Sequence, residues 1–279
     1  MNTSNDKIEL SFESMVNDVC LIFDSRTKKR FIRKTYASVS PFVRTPLPTE
    51  RGIIEKRIYR AIEARPEMLE EGIIISSIIG QDDCCQNINL EYLKGAIPLR
   101  QLPISEWPPT NRFQALGKSL ATISQMPHAE LRALFSDCWS LQELLGRTVM
   151  AFKLGLNSTK TIPEPKNGDS GVLTLGDVSL GNVLAMRGRL ALVDFEFAHI
   201  SRPGYDIGQL LGELRAKRIH PRSNTVYSGL ENFEKALLEG YTSAGGIASH
   251  ALDWAHIFVD YYIARIDRFI EEAPLNGQG

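Results

Sequence analysis

The run from Leu173 to Asp206, LTLGDVSLGNVLAMRGRLALVDFEFAHISRPGYD, constrains this chain more than any other. Val183–Met186 and Leu190–Val193 are short apolar segments joined by Arg187, Gly188 and Arg189, which predicts a β-hairpin turning on a glycine. A hairpin brings its ends together. Asn182, just before the first strand, and Asp194, just after the second, therefore become neighbours, and Asp177 lies five residues before Asn182 in a loop that follows Val172–Leu175.

An amide oxygen and a carboxylate side by side are hard ligands suited to Mg²⁺, which keeps several waters and shares its shell with substrate phosphates. Asp177 is placed to accept a proton from an incoming hydroxyl. One base and two metal ligands on a short hairpin are the parts that phosphoryl transfer needs. At these residues the stretch resembles the aminoglycoside phosphotransferase and choline kinase families, whose signature H-G-D-x-x-x-x-N is followed by I-D-F/W-E. Gly176, Asp177, Asn182, Val193, Asp194, Phe195 and Glu196 fall on the pattern, and Gly204-Tyr205-Asp206 resembles the families' closing aromatic-Asp element. Glu196-Phe197-Ala198 and Tyr205–Gly208 also look like methylthioribose kinases, which carry Ser at the place of Asn182. Leu175 stands where the families usually have His, a side chain that props the catalytic loop.

Around this hairpin the chain divides by pattern. Lys7–Phe12, Val19–Phe23 and Phe31–Tyr36 are β-rich runs separated by polar turns, an antiparallel meander. After Thr49 as N-cap, Glu50–Ala64 has helical apolar spacing at Ile54, Ile58 and Ile62, with Glu55 bordering the inward face. Ile73–Ile79 and Asn87–Leu93 add two strands, giving a five-stranded sheet with one helix. Beyond Pro98 the pattern is helical, with starts at Thr110, near Ser140, at Asp206, at Ser228 with Glu231 as a capping box, and at Ser249; 157–170 reads as a surface loop.

The resemblance implies an α+β, two-lobed protein-kinase-like fold: a nucleotide-binding lobe at 1–92, a hinge at 93–100 and a mainly helical lobe with the catalytic hairpin at 101–279. It also implies that Lys34 reaches the nucleotide's phosphates, that Glu55 holds Lys34, and that the backbone of Glu91 and Leu93 takes the adenine edge. ATP fits such a hinge, and GTP is not excluded. The loop Glu13–Asp18 has no glycine, so Ser14 and Asn17 are alternative phosphate donors, or the loop is a plain turn. Glu196 shares a face with Asp194 and is open to metal-bound water, to substrate or to an ion pair. Asp253, Asp260 and Asp267 recur every seven residues beside Trp254 and Tyr261, either a contact for a cationic acceptor or a solvated helix face. Arg215, Lys217, Arg218, His220 and Arg222 form a basic cluster, read as a solvated helix end.

Asp206 follows Asp194 by only twelve residues, too few for the activation segment of a protein kinase, which favours a small acceptor. The activity implied is ATP- and Mg²⁺-dependent transfer of the γ-phosphate to a small-molecule hydroxyl. A nucleotide-binding protein without turnover is the alternative, suggested by Leu175 and the glycine-free loop, and a protein kinase is a third reading. The net charge of -1, from 32 basic and 33 acidic residues, removes the general electrostatic case for nucleic acid or an anionic membrane. The most apolar run, Gly72–Gly80, is too short to span a bilayer, and the N-terminus lacks a basic-then-apolar leader. The four cysteines form no C-x-x-C pair, so a reducing, cytoplasmic setting is expected.

Overall fold

A computed structural model of the chain describes residues 6–12, 17–38, 46–79, 86–154, 171–220 and 229–272; the features expected at Ser14, 157–170, Arg222 and Ser228 lie outside them. Strands β1 (Asp6–Phe12), β2 (Asn17–Asp24) and β3 (Lys29–Tyr36) form the expected meander. β2 and β3 pair in one unbroken register, from Asn17 opposite Tyr36 to Asp24 opposite Lys29. Phe31, Lys34 and Tyr36 of β3 are buried, and helix α1 (Arg51–Glu63) buries Arg51, Ile54, Glu55, Ile58, Tyr59 and Ile62. Residues 51, 54, 55, 58 and 62 follow the three-and-four spacing of one helix face, so two charged groups enter the interior with the isoleucines. The helix starts one residue later than expected: Glu50 occupies the N-cap position, and it makes no side-chain cap.

The sheet is smaller than the sequence suggested. It has four hydrogen-bonded strands in the order β1-β2-β3-β5, where β5 is Asn87–Glu91, because β4 (Ile73–Ile75) pairs elsewhere. After β4 the chain only brushes the edge of β5, through the bridge Ile78 to Leu90 and the backbone bonds Ile79 N to Asn89 O and Glu91 N to Ser77 O, both 2.8 Å. The run Ile73–Ile79 thus serves two sheets. Consecutive isoleucines bury equally well in either, so an apolar pattern cannot reveal where the strand changes partner.

β4 runs parallel to β9 (Arg189–Leu192), β9 is the hairpin partner of β8 (Val183–Met186), and β6 (Ile97–Pro98) closes this second sheet. The hairpin turn holds Arg187 at φ +46° and Gly188 at φ +77°, the left-handed pair that a two-residue turn between twisted strands requires. A two-stranded sheet joins β7 (Val172–Thr174) to β10 (His199–Ser201).

The rest is helical: α2 (Thr110–Ser124), α3 (His128–Phe135), α4 (Trp139–Leu154), α5 (Tyr205–Ile219), α6 (Leu230–Ser243) and α7 (Ala248–Glu272). Pro109, not Thr110, holds the N-cap position of α2, and Gly204, not Asp206, holds that of α5. α5 is buried on every side from Tyr205 to Leu214. One reason is close contact with α7. A Cβ at Gly208 would lie 2.3 Å from Cβ of Trp254, and one at Gly212 would lie 2.6 Å from Cβ of Phe258. Among the described residues, no helix is long and apolar enough to cross a membrane.

Candidate active site

The hairpin expectation translates directly into position. Val193 N donates to Asn182 O at 3.1 Å, extending the β8–β9 ladder by one step, so Asp194 emerges just beyond the backbone opposite Asn182. Asp194 takes φ +71°, a left-handed conformation that Asp tolerates better than most residues. Asn182 Nδ2 donates to the Asp177 backbone oxygen at 2.9 Å and to Asp177 Oδ2 at 3.0 Å. Those bonds orient the amide and leave Oδ1 as the atom through which Asn182 could hold a cation. Asp177, Asn182 and Asp194 all line one cleft of about 510 Å³.

The cleft's other wall comes from β3 and α1. Lys34 Nζ donates to Glu55 Oε2 at 2.7 Å and also to Asp194 Oδ1. Glu55 is fully buried and accepts two further bonds, from Tyr36 Oη at 2.6 Å and from the Phe195 backbone N at 3.2 Å. Burial opposes the Lys34 charge, but Asp194, Glu196 and Glu55 hold its pKa well above the usual lysine value. Asp194 moves up instead: burial and the nearby Glu196 outweigh the attraction of Lys34. Glu55, Asp194 and Glu196 each offer an oxygen within 4.8 Å of the others. Lys34 contacts all three carboxylates, so the cation at that cluster is its own ammonium. The oxygens of Asn182 and Asp194 are the better donor set for a hard divalent ion.

Glu196 goes to an ion pair. It is 1% exposed and receives Asn17 Nδ2 at 2.9 and 3.0 Å and Arg51 Nε at 2.8 Å. Arg51, itself fully buried, donates also to Asn17 Oδ1 and to the backbone oxygens of Pro48 and Ala37. Asn17 therefore belongs to an internal strut linking β2, α1 and the segment after β9. Arg51 was missed in the sequence, although its spacing of four and seven from Glu55 and Ile58 marks it as inward-facing.

Lys153 was missed as well. Near the end of α4, it is buried and donates to Gly176 O at 3.0 Å, Asp177 Oδ1 at 2.8 Å and Gln209 Oε1 at 2.8 Å. Its only sequence signal is a lone cation in the apolar run from Val149 to Leu154. Gln209 Nε2 adds a second bond to Asp177 Oδ1, at 2.8 Å. Burial pushes the Asp177 carboxyl up, but Lys153 and these hydrogen bonds prevail and its pKa is lowered, so the group is an anion at neutral pH. Burial lowers the pKa of Lys153 against the pull of Asp177.

α5 fixes the loop that carries Asp177. Asp206 accepts from Leu175 N at 2.8 Å and Gly176 N at 3.1 Å, and Glu213 accepts from Leu180 N at 2.7 Å. Asp206, Gln209 and Glu213 follow the spacing of one helical face. Leu175 is fully buried, so packing props the loop where a histidine was expected. Gly176, at φ +86°, could carry no side chain, since a Cβ would lie 2.0 Å from Phe197 O.

Two buried groups here set a pH dependence. Burial raises Asp206 to about 6, against its backbone hydrogen bonds, and lowers His199 to about 4. The folded chain holds the Asp206 proton up to a higher pH than the unfolded chain, so this group's contribution to stability falls as pH rises through 4–6. Buried His199 acts in the opposite sense: its contribution is present above the unfolded value near 6.5 and is lost as pH falls toward 4. Asp206→Asn removes one of these opposed slopes. On acidification from pH 6 to 4, the variant should lose up to about 1.4 kcal/mol per pH unit relative to the unsubstituted chain. Urea unfolding across that range checks it, and parallel stability curves would contradict the assignment.

Glu91 and Leu93 both line the cleft. The Glu91 N–H is committed to Ser77, and its carbonyl accepts Ser76 Oγ at 2.8 Å, leaving the second lone pair of that carbonyl for a base edge. Asp253 and Asp260 are exposed and do not line the cleft. Tyr261 and Arg265, from the same helix, do.

A model of the phosphotransferase enzyme family (APH) matches residues 55–251. No curated protein matches in sequence. Among solved structures, the Plasmodium vivax ethanolamine kinase superposes with a TM-score of 0.53 at 11% identity, over 97% of this chain and 78% of that one. Amicoumacin kinase hAmiN, in complex with AMP-PNP, Ca²⁺ and Ami, gives 0.52 at 15% identity, over 98% and 90%. APH(2'')-IIa, in a ternary complex with streptomycin and ATP, gives 0.51 at 15% identity, over 95% and 90%. At such identities the shared feature is the fold, the two-lobed kinase-like architecture.

Proposed function

This chain belongs to the phosphotransferase enzyme family, and we propose that it transfers the γ-phosphate of ATP, with Mg²⁺, to a hydroxyl of a small molecule. The observation that carries the reading is the meeting of Asp177, Asn182 and Asp194 on one cleft whose opposite wall holds the Lys34–Glu55 pair. We assign nucleotide binding to 1–92, the hinge to 93–100 and catalysis with acceptor binding to 101–279.

In this mechanism the backbone carbonyl of Glu91 and the N–H of Leu93 take the base edge; guanine offers a similar edge, so GTP is the second nucleotide to test. Lys34, steadied by Glu55, neutralises charge on the α and β phosphates. Asn182 and Asp194 would hold Mg²⁺, which when bound would supply neutralisation of the negative charge on the transferring phosphate. Asp177 orients the acceptor hydroxyl and takes its proton late in a loose transition state, where a carboxylate of lowered basicity suffices. Lys153 and Gln209 fix the rotamer of that carboxylate. A nucleotide-binding protein without turnover is the second reading, favoured by the direct Lys34–Asp194 contact, which occupies a metal-ligand oxygen.

Thermal unfolding with ATP, with and without Mg²⁺, followed by an ATP-consumption screen across amino sugars, amino alcohols and sugars, tests the proposal. Stabilisation by ATP should require Mg²⁺, and Asp194→Ala should abolish that Mg²⁺-dependent stabilisation together with turnover. An Asp194→Ala chain that phosphorylates as fast as the unsubstituted one would sink the metal assignment, and stabilisation with no turnover on any acceptor would favour the second reading.

A further inference from the structure

Around Asp177 the charged groups are already paired, and the wall beside them is uncharged and mainly apolar. Asp177 accepts from Lys153, and buried Glu213 takes Arg100 Nε at 3.0 Å and Leu180 N at 2.7 Å. Asp206 is committed to two backbone N–H groups, and Arg265 donates to Tyr261 Oη at 3.3 Å. The other carboxylates lining the cleft belong to the side assigned above to the nucleotide. Glu55, Asp194 and Glu196 gather round Lys34, and Glu91 ends β5, opposite Phe31 of β3.

Beside the base, the cleft is lined by Val149, Phe197 and Tyr261, while Gln101, Thr148 and Ser179 add uncharged polar groups. The apolar three are placed by elements that also hold Asp177. Val149 lies one helical turn before Lys153 on α4. Tyr261 precedes Tyr262, whose hydroxyl accepts from Gln209 Nε2 at 3.0 Å, the same nitrogen that donates to Asp177. Phe197 backs onto Gly176, where an added Cβ would lie 3.0 Å from the Phe197 Cβ. All three pack in one apolar cluster with Tyr205, Phe258 and Tyr262. Tyr261 meets Tyr262 edge to face with ring centroids 4.9 Å apart, so core packing backs the wall. Burial outweighs the neighbouring Arg265 and pushes the Tyr261 phenol up, which keeps it neutral.

We infer that the acceptor is a neutral alcohol with an apolar body, a ring or a branched hydrocarbon, which packs on Phe197 and Tyr261 while its hydroxyl reaches Asp177. This rests on the phosphotransfer reading above and narrows its substrate class. Oδ1 of Asp177 already accepts two bonds, from Lys153 and Gln209, while Oδ2 accepts one, from Asn182, so the hydroxyl is directed to Oδ2. A charged group on the acceptor would lose its water beside charges that already have partners, which is costly. An apolar body gains affinity in proportion to the area it covers. Aromatic rings also attract cations, so the test sets a cation against a neutral molecule of the same shape.

The test uses ligand-observed NMR titration of the full chain loaded with Mg²⁺ and a non-hydrolysable ATP analogue. The probes are choline, its tert-butyl carbon isostere, benzyl alcohol and ethanol. The isostere should bind roughly tenfold more tightly than choline, and benzyl alcohol roughly tenfold more tightly than ethanol. Tyr261→Ala should weaken benzyl alcohol about tenfold while the affinity for the ATP analogue changes by about twofold or less. Tyr261→Phe puts the ring back without the hydroxyl and should recover the affinity, which separates packing from hydrogen bonding. Choline binding as tightly as its isostere, benzyl alcohol binding no more tightly than ethanol, or Tyr261→Phe as weak as Tyr261→Ala would each overturn the inference. Failure of the unsubstituted chain to bind the analogue at all would fall on the phosphotransfer reading itself.

Discussion

Asp177→Asn is expected to reduce kcat for phosphotransfer by roughly 10²–10⁴-fold, the usual contribution of a positioned base, while the KM for ATP changes by about twofold or less. The carboxamide nearly preserves shape, but both Asp177 oxygens accept hydrogen bonds, so its NH2 must face either Asn182 or the Lys153–Gln209 pair. The charge also partners Lys153, whose ammonium is buried and would be left with only the neutral oxygens of Gly176 and Gln209. Some loss of stability should accompany the single variant for that reason. Asp177→Asn combined with Lys153→Met removes both charges and should recover stability without recovering turnover. Steady-state kinetics beside urea unfolding separates the two effects; a single variant with kcat within tenfold of the unsubstituted enzyme would remove Asp177 from the chemistry.

Arg51→Met should have the largest effect on stability, about 3–5 kcal/mol, because it strands the buried Glu196 carboxylate with one amide and a distant ammonium. That ammonium is Lys34, 3.6 Å away and shared with Glu55 and Asp194. Replacing both partners, Arg51→Met with Glu196→Leu, should return much of the loss, since a buried ion pair contributes little net stability over well-packed apolar groups. Equilibrium denaturation of the two variants gives the comparison. If Arg51→Met unfolds within 1 kcal/mol of the unsubstituted chain, the strut joining β2, α1 and the Glu196 segment is not holding the two walls of the cleft as the geometry indicates.

Local pattern carried the β8–β9 hairpin well. The turn at Arg187 and Gly188 and the convergence of Asn182 with Asp194 follow from chain connectivity over a few residues, where backbone geometry leaves few choices. Helix spacing placed Glu55 beside the inward face, but its pairing with Lys34 was implied by the family resemblance and not by local pattern; in the structure the two meet at 2.7 Å. Glu196 shows where such reading stops. It lies one strand step from Asp194, but its partners Asn17 and Arg51 are on β2 and α1, and nothing along the sequence links those positions. The change of partner after β4 is a second instance, since an isoleucine run has no preference between two buried sheets.

By itself the sequence determined the chemical alphabet of the proposed site and the short-range folds that present it: Asp177, Asn182 and Asp194, with a hairpin between the last two. Only the tertiary structure decided which charges leave water together. The polar face of α5 would be a solvated surface in isolation; with the Asp177 loop laid across it, Asp206, Gln209 and Glu213 become the acceptors and donors that hold the loop. Lys153 and Arg51 likewise take their meaning from distant partners. A buried charge must find a counter-charge or hydrogen bonds, and the three-dimensional packing determines which groups are within reach.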